Sequence, residues 1–456
     1  MIQNRAVRLV ATGARFLTGA ALAIGCVVAV VVAVAMPWPS TQAQPAQVSV
    51  TPTAGDTTLV CTGDFRALGR NATDASQQQS GGTPSLTVES TGSTEESELA
   101  APELGESSGP KHFVASAEQG GDSLIAAAES ITLNADDLSG LAAAACREPR
   151  TESWLIGGAV ETGTSDLVIL ANPGDVTATA TITMFGLEET SSSVLVPAGT
   201  QISVPLSSVA AGTPSPVVRV TAEGAPLRAT VQSSLIRTLD PSGSDLQDAA
   251  AAPAERIGFA GVQVEAASDD FPLTLLRLMA TEEATNARIS VRSGGEEVLQ
   301  TTVPLDAGAP TDVDLQALEP GVYSIDIEAD ASVVGAVRQT TGAGAGSDFA
   351  WMPSAPEIDG EVLVAVPAGP GPRMHLVNAS DDAVTVTVAG TSGGQPQEVS
   401  IPVGGDAVIE VRSSSAYSVS TDGPIRAAVM LSGTDALAGW PVWAGAAAQE
   451  PITVYP

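Results

Sequence analysis

His112 and His375 are the only two imidazoles in a chain of 456 residues. They stand far apart, and neither has a cysteine or second histidine near it in sequence, so the spacing of a zinc site is missing. No His-Glu-x-x-His pair or phosphate loop occurs. Two carboxylates flanking a glycosidic bond could hydrolyse it, but Asp+Glu number 52 and no pair stands out. Asp269-Asp270 and Asp381-Asp382 fall in turns and read as solvated surface, since calcium needs more oxygen ligands than they offer. The chemistry-bearing residues therefore point to a non-enzymatic protein with no cofactor and no metal.

What remains is contact and covalent chemistry. Aromatics make up 3% of the chain, sparse for a surface that stacks on sugars or bases. Trp440 and Trp443, in the W-P-V-W run near the C-terminus, are the candidate contact surface. Trp154 and Trp351 precede two similar segments and read as core or inter-module packing. His375, between Met374 and Leu376 at a strand start, reads as structural. Cys61 and Cys146 are an even pair in an exported chain and form the candidate disulfide. Closing so long a loop would contribute about 4 kcal/mol.

The elements that carry these residues begin with an N-terminal segment. Arg5, Arg8 and Arg15 precede an uncharged apolar run over residues 16–36, near the ~20 residues that cross a bilayer. The basic flank places residues 1–15 in the cytoplasm and the bulk of the chain outside. A retained single-pass anchor in the cytoplasmic membrane is expected; secretion after signal cleavage is the alternative. Trp38 would then sit in the interfacial belt. A net charge of -33 argues against nucleic acid, which needs a basic face.

Residues 37–150 form an extracellular N-terminal region. Within it 70–121 is rich in Ser, Thr, Gly, Glu and Gln and is expected to be disordered, while 123–145 is rich in Ala and Leu and is expected to be helical in part. The piece at 47–61 is expected to lend a strand to the first module.

From Trp154 onward, short Val/Ile/Thr/Leu runs alternate with turn residues, the pattern of an all-β sandwich. Residues 177–183 (T-A-T-A-T-I-T) and 384–388 (V-T-V-T-V) alternate strictly, with one face toward a core. The pattern repeats: L-A-N-P-G-D at 170–175 answers L-V-N-A-S-D at 376–381, and a diverged copy starts at Leu278. The spacing suits immunoglobulin-like or fibronectin-like modules at 151–240, 256–340 and 349–456. Residues 235–255 and 340–348 read as linkers, and Glu223-Gly224 and Asp422-Gly423 read as hairpin turns.

W-L-I-G-G at 154–158, L-A-N-P-G at 170–174, W-M-P at 351–353 and I-R-A-A-V at 425–429 resemble an uncharacterised family of exported actinobacterial proteins carrying a domain of unknown function. The resemblance covers about residue 145 to the end. It implies one N-terminal span, a β-rich ectodomain and a gene beside a membrane glycosyltransferase, hence a part in envelope polysaccharide assembly. It carries no catalytic residues. The expected function is a membrane-anchored extracytoplasmic scaffold or accessory protein of the cell envelope, partnered by an envelope glycosyltransferase or another membrane protein. A cell-wall polysaccharide-binding protein is the alternative.

Overall fold

Alternating residues become alternating faces. In Ala178–Phe185 the small and branched side chains at 178, 180 and 182 are buried and the threonines between them are half-exposed, as a pleated strand with one face on a core requires. The structure, a computed structural model, describes residues 19–32, 48–50, 55–70, 77–105, 108–117, 123–186, 188–210, 212–266, 273–315, 317–445 and 452–454.

The chain divides into two units. The smaller takes both chain ends. It contains a helix over residues 19–32 with exposed side chains and a short antiparallel pair, Val48–Val50 with Ile452–Val454. Among the described residues, no helix is long and apolar enough to cross a membrane. The expected span at 16–36 lies only partly within them, and residues 1–15 lie outside.

The larger unit, Thr53–Gln449, is nearly all β and is built of packed sheets. In the first sandwich, one four-stranded layer orders Glu152–Leu155, Val217–Glu223, Ala178–Phe185 and Thr190–Val196. The other orders Thr200–Pro205, Leu167–Asn172, Arg228–Arg237 and Asp240–Gln247. Leu155, Leu170, Ile182, Val220 and Val231 fill the space between them.

The second sandwich turns on one long strand, Gly321–Thr340. Its first half lies between Ala254–Val264 and Thr285–Ser293, and its second half between Leu275–Ala280 and Phe349–Pro353. Ser415–Gly433 does the same in the third sandwich. It lies first between Ile358–Val366 and Val384–Gly390, then between Arg373–Asn378 and Ala436–Pro441.

These ladders correct three expectations. Glu223-Gly224 and Asp422-Gly423 are not hairpin turns: the runs on either side pair with different strands, and the chain bends from one layer into the other, as strands that switch sheets do. Residues 235–255 are not a linker, because Asp240–Gln247 is the closing strand of the first sandwich. Phe349–Pro353, with Trp351, closes the second sandwich and does not open the third. Only residues 341–348 connect strands there.

The N-terminal region also departs from expectation. Four strands, Gln79–Gly82, Ser85–Ser90, Thr94–Glu98 and Lys111–Ala115, occupy the stretch read as disordered. Their polar character belongs to a solvent-facing edge: Thr94–Glu98 is wholly exposed, pairs with Lys111–Ala115 and is pinned by Lys111 to Glu96 and Glu98 at 3.2 and 3.3 Å. The Ala-rich stretch is two strands, Ile125–Asn134 and Ser139–Ala145. Alanine favours helix, yet here it lines buried strand faces and lets neighbouring sheets approach closely, so packing overrides propensity. Thr57–Val60 pairs with Lys111–Ala115 and not with the first sandwich.

Candidate functional site

The sandwiches are not beads on a string. Trp154, Ile156 and Phe185 of the first pack with Met279, Val334 and Trp351 of the second. Ala260 and Met352 of the second pack with Val377, Met430 and Leu437 of the third. The N-terminal strands contact both ends of the series, through Leu141 to the third sandwich and through Ala142 and Ala144 to Leu246 of the first. Trp154 and Trp351 thus serve inter-module packing.

Where the four parts meet, Ser139–Ala145, Asp240–Gln247, Phe349–Pro353 and Ala436–Pro441 pack against one another. Asp348 sits among them, 1% exposed. Its Oδ2 accepts N–H bonds from Leu141 at 2.8 Å and Leu437 at 2.9 Å. Its Oδ1 accepts from Ser244 at 3.1 Å and Phe349 at 3.0 Å. Each strand contributes one donor. Burial pushes the carboxyl up to about 7, with the four amides pulling the other way. A Cβ at Gly140 (φ +119°) would collide with this carboxylate, so the glycine is required for the approach. Beside it, Asp245 accepts from the Trp351 amide at 2.8 Å. Burial first and the Asp348 charge second hold its carboxyl well above the ordinary range. This is a buried structural joint.

A second cluster does reach solvent. A cleft of about 80 Å³ lies between the N-terminal strands, the first sandwich and the third. The disulfide Cys61–Cys146 forms, and Cys146 lines this cleft. The next residues carry the charge. Arg147 is fixed by mutual backbone bonds with Val60, and Arg150 by mutual bonds with Leu227. Arg147 Nε donates to Asp248 Oδ2 at 2.8 Å, and Arg228 Nη2 lies 2.6 Å from Asp248 Oδ1. Arg147 also donates to the Pro441 carbonyl. Arg150 is exposed, and its guanidinium stacks on the Trp443 indole, 4.0 Å from the ring centroid. The Glu148 and Asp248 carboxylates act on this guanidinium electrostatically. Three of the chain's few cations therefore share one corner of a strongly acidic protein.

The two candidate contact tryptophans separate here. Trp440, 2% exposed, belongs to the core of the third sandwich, because its strand alternates and position 440 faces inward. It is not a contact surface. Trp443, two residues past the last ladder pair, is half-buried at the cleft mouth. Arg150 was not singled out in sequence; the R-E-P-R run at 147–150 in so acidic a chain was the available signal. His375 is buried, and burial with Arg373 nearby pulls it down to about 4, a packed side chain. His112 meets Ser97 Oγ.

The family model described as "Family of unknown function (DUF5719)" matches residues 101–414. The chain belongs to this family. The DUF5719 match takes in Asp348, three of its four donors and Arg150, and stops short of Leu437 and Trp443. No curated protein matches. A crystal structure of a tetra-tandem repeat in the extending region of a large adhesion protein aligns over 90% of this DUF5719 chain and 97% of its own, at 13% identity and a TM-score of 0.11. So low a score carries no argument.

Proposed function

We propose that this chain is a non-catalytic scaffold or accessory protein of the cell envelope. In this reading the apolar segment at 16–36 anchors it in the cytoplasmic membrane and the β unit works outside. The sandwiches would be of immunoglobulin-like or fibronectin-like kind, beside an envelope glycosyltransferase or another membrane protein in glycan assembly. The Asp348 joint carries the reading. A carboxylate that takes one amide from each of four strands makes separate parts into one rigid body, which suits a platform better than a flexible tether. A net charge of -33 would keep that body soluble and clear of anionic lipid. The test is a cross-linked pull-down of the full-length protein from its own solubilised membranes. Stoichiometric recovery of a membrane glycosyltransferase supports the reading. A defined catalytic turnover by the purified protein sinks it.

A second reading, polysaccharide binding, is favoured by the solvent-facing Arg150–Trp443 stack. Retention on isolated wall glycan that Trp443→Ala abolishes would support it; retention unchanged by that substitution would count against it.

A further inference from the structure

We propose that the Arg150–Trp443 cleft binds a carboxylate carried on a short apolar stem, such as a carboxylated acyl or ether substituent on an otherwise neutral glycan; this rests on the polysaccharide-binding reading. The first argument is a surplus of donors. Three guanidiniums, Arg147, Arg150 and Arg228, share the cleft with two carboxylates, Asp248 and Glu148, and Arg150 is exposed. Arg147 and Arg228 share the single carboxylate of Asp248. The Trp443 indole Nε1 is buried without an acceptor. Guanidinium and indole N–H groups only donate, so the missing group is an acceptor. A planar carboxylate matches the guanidinium fork.

The second argument is shape. Beside its charged groups the cleft is lined by Leu59, Ile125, Val362, Val364 and Val442, which would bury hydrocarbon. Its volume of about 80 Å³ is roughly half that of the ~150 Å³ cavity that accepts benzene. That leaves room for a stem of about three carbons. The third argument is charge. A chain with net charge -33 repels a polyanion, so an isolated carboxylate on a neutral polymer is the form that can approach. One surplus positive charge in the cleft also balances one negative charge better than a phosphate dianion.

The experiment follows the Trp443 indole N–H resonance of the full-length protein, assigned with Trp443→Phe, during titration with butyrate, propyl phosphate or 1-butanol. Butyrate is expected to shift it saturably and butanol not to. Arg150→Ala should weaken butyrate about tenfold or more, the scale of a charged hydrogen bond, and Arg150→Lys should recover only part. Butanol binding as well as butyrate, propyl phosphate binding more tightly, or an unaffected Arg150→Ala overturns the proposal. Butyrate binding without retention on glycan keeps the site and removes the polysaccharide reading. Glycan retention without a butyrate shift does the reverse.

Discussion

Asn172 and Asn378 close the same turn in the first and third sandwiches with the same three bonds. Each Nδ2 donates to two carbonyls: Val176 and Val196 at 2.8 and 2.9 Å, Asp382 and Ile401 at 2.7 and 2.9 Å. Each Oδ1 accepts the backbone N–H two residues on, from Gly174 at 2.9 Å and Ser380 at 2.8 Å. The sequence pair that marked the repeat is thus an Asx turn welded to the neighbouring strand. The diverged second copy has Ala280 at that place. Asn378→Ala strands buried carbonyls and should cost about 2–3 kcal/mol, read as a lowered unfolding midpoint. An unchanged midpoint would show that the turn holds without it.

Asp348→Ala leaves four amides without an acceptor. The expected cost is about 3–5 kcal/mol, that of breaking a buried charged network. It should also uncouple the parts: limited proteolysis would then cut near 341–348 and release a folded fragment. Continued single-step unfolding would argue against the joint as the coupling element.

Cys61 and Cys146 close a loop of 85 residues. Replacing both with serine should remove about 4–5 kcal/mol by the chain-entropy scale. Reductant should lower the midpoint of the parent and leave the double variant unmoved.

Two buried groups oppose one another in pH dependence. Burial pushes Asp166 from 3.8 up to about 7. Between those values the folded chain holds a proton that the unfolded chain has lost, so this group's stabilisation is present at low pH and is lost as pH rises toward 7. His375 is pulled from 6.5 down to about 4. There the unfolded chain binds the extra proton, so stability from this group grows as pH rises through that window. Thermal midpoints from pH 4.5 to 7 should slope more steeply upward in Asp166→Asn and less so in His375→Gln. Parallel curves for parent and variants would sink the assignment.

Trp440→Ala should cost about 3–5 kcal/mol as a core cavity. Trp443→Ala should leave the midpoint within about 1 kcal/mol, since its ring is half out of the core. Equal losses would place Trp443 in the core as well.

The strands of alternating Val and Thr were legible because period-2 burial is written residue by residue, as in Val384–Gly390. The disulfide was legible from the even cysteine count and the expectation of export. The closing strand Asp240–Gln247 was not: D-P-S-G-S-D carries turn chemistry, and it is a strand because Arg228–Arg237 lies beside it. Asp348 was invisible for a stronger reason. Its neighbours in sequence are Gly, Ala and Ser, and its partners Leu141, Ser244 and Leu437 come from remote parts of the chain. In the cleft, Trp443 could be nominated as an aromatic near the end, but its pairing with Arg150 depends on how the N-terminal strands meet the third sandwich, which no local pattern encodes.

The shared long strands have a mechanical meaning. Gly321–Thr340 and Ser415–Gly433 each belong to both layers of their sandwich, so a pull on the chain loads two ladders in shear together and neither can unzip first. In the first sandwich the corresponding path is cut at Gly224 (φ +92°), which separates Val217–Glu223 from Arg228–Arg237. Under tension that interruption is the weak seam, the place where a stretched molecule would yield while its two neighbours still held.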